Sequence, residues 1–408
     1  MSIMKKNIFC KTIIFFVLAL AFSCSQDPIF FTISTETKPV KPRIPGGPTN
    51  MVVFDNRMYV ASGRLFSYNS ASGWDDGMQP GGKVIGLAAT DEHLYALCII
   101  GTGVTTVLQR KGRTGGWAEI KNPESQYTLV QSIYAVNSEA RPYLFAGARN
   151  NSGINYGILC LDDTSPDPAL RLIVGDTEIL SGAASRNEGS GTVYFLSTKG
   201  RGVYMISETD LSVNTPATQL GGSENRLLMG MTQLYKDEEN NGPIIVIERD
   251  NGTFFEVREF GFRELRNPNG TVSSGKFATG ALAEWQQVTP NDDNDGIKML
   301  IAGIQGSLFS TSSSSSYSHG YVEIELDTVL TFDDGWLVLS SSRGINPDIT
   351  VDGNTDRYTA TIGKHPVNHF FQAPESVDSN RTFFASTQTA GLWSYRIREG
   401  GPQWNAEN

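Results

Sequence analysis

Helix is what this chain has least of. Beyond residue 24 no amphipathic helical stretch exceeds about two turns. Forty-two glycines, together with many serine, asparagine and aspartate residues, cut its 408 residues into short β-branched and aromatic runs. Helical bundles and doubly wound α/β folds are therefore excluded. Cysteine is scarce too, with four in all. Cys98 in LYALCII and Cys160 in YGILCLD lie in apolar strand-like runs of different units, which predicts buried free thiols rather than a disulfide. Neither has a basic cluster or helix N-terminus to lower its pKa, so neither is a candidate nucleophile. Histidine also numbers four. His365 and His369 are four apart, but Pro366 breaks any helix that would put both on one face, so no zinc pair is predicted. Ser-His-Asp order, a Gly-x-Ser-x-Gly elbow, a phosphate-cradling glycine loop and Cys-x-x-Cys are all missing.

Positive charge is short as well. Residues 1–23 hold three lysines (Lys5, Lys6, Lys11) and no carboxylate, so the remainder sets 30 basic against 43 acidic side chains, a net of −13. Nucleic acid and anionic lipid surfaces would repel such a body. The only long apolar run, residues 12–22 (TIIFFVLALAF), is too short to span a bilayer and follows the three lysines, as in a cleaved export signal.

What the chain does contain is one pattern, repeated. Residues 51–69, MVVFDNRMYVASGRLFSYN, read as a small β-meander: an apolar run, the turn Asp55-Asn56-Arg57, a second run, the turn Ser62-Gly63-Arg64, and an alternating third. A meander this short cannot bury its own faces, so it needs neighbours of its kind. Looser copies follow at 83–120, 129–174, 179–220 and 227–266, from about 279, at 328 (VLTFDDGWLVLSSSRG) and at 368–396, with Gln403-Trp404 opening a last outer strand. Four strands in under 40 residues, as in 83–120, is the signature of a propeller blade. Residues 51–408 divided among eight units give about 45 each, and among seven about 51. The expected fold is thus all-β, a β-propeller of four-stranded blades, eight by count with seven as the alternative. The expected domains are a signal peptide (1–23), a Pro-rich tether (24–50; Pro39, Pro42, Pro45, Pro48) and the propeller (51–408).

VYFLSTKGRGVYMIS, MLIAGIQGSLFSTS and FFASTQTAGLWSYR share a strand, a small-residue turn with glycine, and a strand carrying an aromatic. Over residues 51–408 this resembles the β-propeller superfamily, without the Gly-His and Trp-Asp marks of WD repeats. Residues 20–24, LAFSC, resemble a bacterial lipobox with a bulkier Phe22 than usual, a looseness similar to spirochaetal lipoproteins. The resemblance implies that Cys24 becomes the diacylated, palmitate-bearing first residue of an envelope lipoprotein at the outer membrane. The alternative is an ordinary secretory signal with an incidental cysteine. Fold alone does not carry function.

One sharp chemical candidate remains. In NDDNDG, Asn291, Asp293, Asp295 and Gly296 approximate the oxygen spacing of a calcium loop, although its twelfth position is Ala302. DEENNG (Asp237, Glu239, Asn241, Gly242) does so more weakly, with Glu248 twelve positions along. A solvated turn is the competing reading of both. Trp74, Trp117, Trp285, Trp336 and Trp393 read as blade packing. The expected function is a non-catalytic binding or scaffold module for a protein or glycan ligand, monomeric, with no nucleic-acid partner, no cofactor beyond the calcium candidate, and membrane contact only through its lipid. A propeller hydrolase or lyase acting on glycans is one alternative. The other is an assembly scaffold for envelope proteins, resembling the lipoprotein propeller of the barrel-assembly machinery.

Overall fold

The computed structural model describes residues 44–102, 105–137, 141–189, 191–233, 242–249, 253–265, 367–374, 376–378, 383–388, 390–398 and 401–407, and describes 282–285, 297–302, 321–329, 336–339 and 345–346 as strands alone. Cys24 and the loop of Asn291, Asp293 and Asp295 lie outside these residues. The body of the chain, residues 42–407, forms one compact unit. Seven antiparallel sheets stand among the described residues, at 50–76, 83–119, 129–177, 180–219, 228–264, 282–346 and 367–406. Each is a meander taken in sequence order, and we number them blades 1 to 7. The first strand of each blade touches the first strand of the next, and Val367–Gln372 of blade 7 returns to Asn50–Phe54 of blade 1, so the first strands close a ring.

Two expectations change. Thr328, read as the opening of a blade of its own, pairs with Leu337 inside blade 6. The third strand there, Tyr321–Val329, is nine residues long and carries Trp336–Leu339 and Ile345–Asn346 at successive places along it. A hairpin pattern looks the same whether it starts a blade or ends one. The ring also begins upstream of residue 51, because residues 44–49 pack into it, as described below. The expected last strand is present: Gly401–Ala406 pairs with Leu392–Arg398, placing Trp404 opposite Tyr395.

The core is a circle of seams between blades. In Tyr143–Arg149, the second strand of blade 3, Tyr143 and Phe145 join the seam with blade 4, while Leu144 and Ala146 join the seam with blade 2. Alternate side chains point to opposite faces and here both faces are covered, so second strands read as unbroken apolar runs. Each large side chain sealed in this way contributes about 1.5–3 kcal/mol. Cys98 and Cys160 lie in different seams, free and buried. Burial pushes their thiols up to about 11 and about 12, as expected of inert sulfur.

One link recurs between blades. In blades 1, 4 and 7 the turn between second and third strands bends at Gly63, Gly202 and Gly391, with φ of 73°, 71° and 77°. Side chains avoid this left-handed region. The bend aims a peptide at the chain leading into the next blade: Gly63 exchanges two 3.1 Å bonds with Val84, and Gly202 N donates to Arg226 O at 3.3 Å. Gly391 N donates to Gly46 O at 2.9 Å. Residues 44–49 therefore occupy, in front of blade 1, the place that the chain from the preceding blade occupies elsewhere. Pro45-Gly46-Gly47-Pro48 accordingly repeats Pro80-Gly81-Gly82-Lys83.

Candidate functional site

The ring has two ends. At one lie the turns between second and third strands and the chain leading into each blade; at the other lie the first-to-second and third-to-fourth connections. The second end holds the most heavily bonded buried carboxylate, Asp163, just past the third strand of blade 3 (Tyr156–Asp162). Its side chain is fully sealed. Tyr95 donates its hydroxyl to Oδ1 and Thr90 donates to Oδ2, while His93 Nδ1 lies 2.7 Å and Arg110 Nη1 3.7 Å from Oδ1. Thr90, His93, Tyr95 and Arg110 all belong to blade 2, so one carboxylate from blade 3 gathers four groups of its neighbour. Burial, and then the charge of Asp163, hold the Tyr95 phenol well above its ordinary pKa, so it stays a donor. With both oxygens occupied and no solvent path, this cluster clamps the seam.

A second sealed carboxylate closes the ring. Glu407, 0% exposed, accepts from Trp74 Nε1 of blade 1 and from Ser394 Oγ of blade 7. Beside it Tyr68 donates to Asp378, and Trp74 meets Phe384 edge-on at 6.4 Å. Sequence reasoning missed both carboxylates. Their signal was faint: a single acidic residue immediately after a strand.

The sequence candidates fall as follows. Residues 286–296 connect Leu282–Trp285 to Ile297–Ala302, the first and second strands of blade 6, which is the position assigned to NDDNDG. Asn291, Asp293 and Asp295 themselves lie outside the described residues, as do Asp237, Glu239, Asn241 and His365. Gly242 accepts from Gln233 Nε2 at 3.2 Å. Glu248 ends the strand Ile244–Glu248 and bonds Arg226 at 3.2 Å, a full strand away from DEENNG. Among the described residues no three histidine, cysteine, aspartate or glutamate side chains gather as metal ligands. His369 sits in the first strand of blade 7 with Nε2 sealed and unpartnered, and burial lowers its pKa to about 4. Trp74 packs in the seam between blades 7 and 1 and Trp393 within blade 7, the blade packing expected of them, and Trp117 donates to Met78 O at 2.8 Å.

Apart from Leu172, on the outer strand Arg171–Thr177 of blade 3, the exposed large apolar side chains among the described residues sit on connections at the two ends. At the end of the Gly391–Gly46 link are Met78, Ile100, Ile154 and Leu227; at the end of Asp163 are Val213 and Phe260. Antiparallel sheets, six of four strands and one of five among the described residues, around a closed circle of first strands decide the fold. The chain is a β-propeller. The crystal structure of an ancestral GH74 enzyme shares this fold, with a TM-score of 0.56 and 11% identity over 90% of this chain, although the chain spans about half (47%) of that structure. A protein of Treponema pallidum (strain Nichols) named "Uncharacterized lipoprotein" is 25% identical over 433 residues, 98% of this chain and 100% of the relative. No family model matches the chain. These likenesses agree with the resemblance to propeller lipoproteins of spirochaetes drawn from LAFSC and the repeats.

Proposed function

We propose that this propeller is held on the bacterial outer membrane by an acylated Cys24 and works by binding another envelope protein, without catalysis. The observation that carries the reading is Phe260, 91% exposed on the third-to-fourth-strand turn of blade 5. Val213, 66% exposed, occupies the corresponding connection of blade 4, behind the short helix Glu208–Ser212. Single exposed apolar residues are ordinary, but a protruding aromatic with an apolar neighbour on the next blade matches the anchor residues of protein interfaces. The sealed bonding of Asp163 and Glu407 supports a structural use of the buried charge. The lipobox-like LAFSC and the lipoprotein relative from Treponema support the anchor.

The test is photo-crosslinking in intact cells from a reactive residue at position 260, with one at position 119 on the outer edge of blade 2 as the control. A discrete protein adduct from 260 alone, lost in Val213→Ser, is expected; equal adducts or none would overturn the reading. Incorporation of labelled palmitate, abolished by Cys24→Ser, checks the anchor separately. Glycan-acting catalysis is the second reading, supported by the likeness to a GH74 enzyme. Release of soluble sugar from envelope glycans by the purified protein would favour it.

A further inference from the structure

The segment at residues 44–49 fixes where the tether leaves the body. Ile44 is fully buried in the seam between blades 7 and 1. Ser62 Oγ donates to Pro45 O at 2.6 Å, Gly391 N to Gly46 O, and a Cβ on Gly47 would stand 2.6 Å from Gln388 O. Ser62, Gln388 and Gly391 all belong to second-to-third-strand turns, so the chain departs from that end of the ring. Only residues 25–43 then separate the body from Cys24.

We propose that this end of the propeller lies against the membrane that holds the lipid, with Ile100 and Ile154 reaching its headgroup region. The proposal rests on the acylation of Cys24. A coil of about 20 residues has an average span of roughly 25 Å, about half the roughly 50 Å breadth of a body this size, so an anchor at Cys24 favours this end as the nearer one.

Exposed apolar side chains at the tether end agree with this orientation. Ile100 and Ile154 are exposed at the tips of neighbouring blades on the tether end, with Met78 between blades 1 and 2. Lys83, Lys199 and Arg201 are exposed at the same end and make no ion pair among the described residues, but Asp76, Asp176, Glu178 and Glu224 lie at that end too. The opposite end carries Asp55, Asp91, Glu92, Glu208, Asp210 and Glu259 together with Arg57, Lys111, Arg113 and Arg141. In this orientation the opposite end, with Phe260, is left open to soluble or neighbouring proteins.

The experiment uses acylated full-length protein in phosphatidylcholine–phosphatidylglycerol vesicles containing headgroup-nitroxide lipid. Ile154→Cys and Val213→Cys place a fluorophore at opposite ends; Ile100→Cys and Glu92→Cys form a second pair on blade 2. Cys98 and Cys160 are sealed and their thiols raised by burial, so labelling stays confined to the introduced site. Labels at 154 and 100 are expected to be quenched severalfold more than those at 213 and 92. Equal or reversed quenching on vesicles that float with the protein overturns the orientation alone. A wild-type protein that does not float with vesicles overturns the acylated anchor and the orientation together.

Discussion

Trp74 donates its indole N–H to Oε2 of Glu407 at 2.8 Å across 333 residues of sequence, inside the seam where the last blade meets the first. Among the described residues each blade draws its strands from one continuous segment, and no strand is shared between the two ends of the ring's chain. Closure falls instead to side chains and to residues 44–49.

Trp74→Phe keeps a ring in the seam but strips Glu407 of a donor and leaves a small void. A hydrogen bond to a charged group contributes about 1.5–3 kcal/mol, and the loss is expected at the upper part of that range. The decisive measurement is a double-mutant cycle with Glu407→Ala by denaturant unfolding. Coupling below about 0.5 kcal/mol would mean that the pair does not latch the ring.

Residues 25–41 and 44–48 should behave differently when removed. Deleting 25–41 leaves the melting temperature unchanged, because Ile44 and the Gly391–Gly46 bond remain. Deleting 25–48 opens the closing seam, and Ile44→Ala alone should cost about 2–4 kcal/mol, the range for a sealed isoleucine. A deletion through residue 48 that melts like the full body would show the segment to be mere tether.

Much of the fold was legible because seam packing writes itself into sequence. LYALC, YLFAGA and VYFLST are second strands covered on both faces, and the glycine after the following small residues marks the turn that links blades. Two things escaped. Thr328 opens a hairpin whose apolar pattern says nothing about whether it stands first or third in a blade, and only its pairing with Leu337 decides. Proline dominates residues 39–48 and suggested a spacer throughout, although Pro45-Gly46-Gly47-Pro48 repeats the approach to blade 2. The site was less legible still. Asp163 acquires its role from four side chains 53 to 73 residues earlier, and no spacing rule announces such a meeting.

His369 gives the body a pH dependence of known sign. Burial lowers its folded pKa to about 4 from the ordinary 6.5 of a histidine, so the unfolded chain takes up a proton that the folded chain refuses until about pH 4. The associated stability is fully present above pH 6.5 and is lost as pH falls from 6.5 to about 4, with a total of about 3 kcal/mol. Carboxylates titrate in the same window, so the quantity to measure is the difference between wild type and His369→Asn in unfolding free energy at several pH values. That difference should shift by this amount between pH 7 and pH 4; parallel curves would show that His369 titrates normally in the fold.

Calcium is the remaining chemical question, and it turns on NDDNDG between the first two strands of blade 6. Asn291, Asp293 and Asp295 could supply side-chain oxygens if Gly296 allows the tight turn, while Asp292 adds a charge that only solvent or a cation offsets. Ala302 at the twelfth position removes the bidentate glutamate of the tightest loops, so affinity should fall in the extracellular class, on the order of 0.1 mM. A ligand bound only by the folded state stabilises it by RT ln(1 + [L]/Kd), so about 1 mM calcium would add about 1.4 kcal/mol. Over a chain this long the melting temperature rises by at most a few degrees. Melting curves in calcium, in magnesium and in chelator, repeated with Asp293→Ala and Asp295→Ala, separate the outcomes. A rise in calcium alone that both variants abolish identifies a calcium loop; three superimposed curves reduce NDDNDG to a solvated turn whose aspartates serve only the backbone.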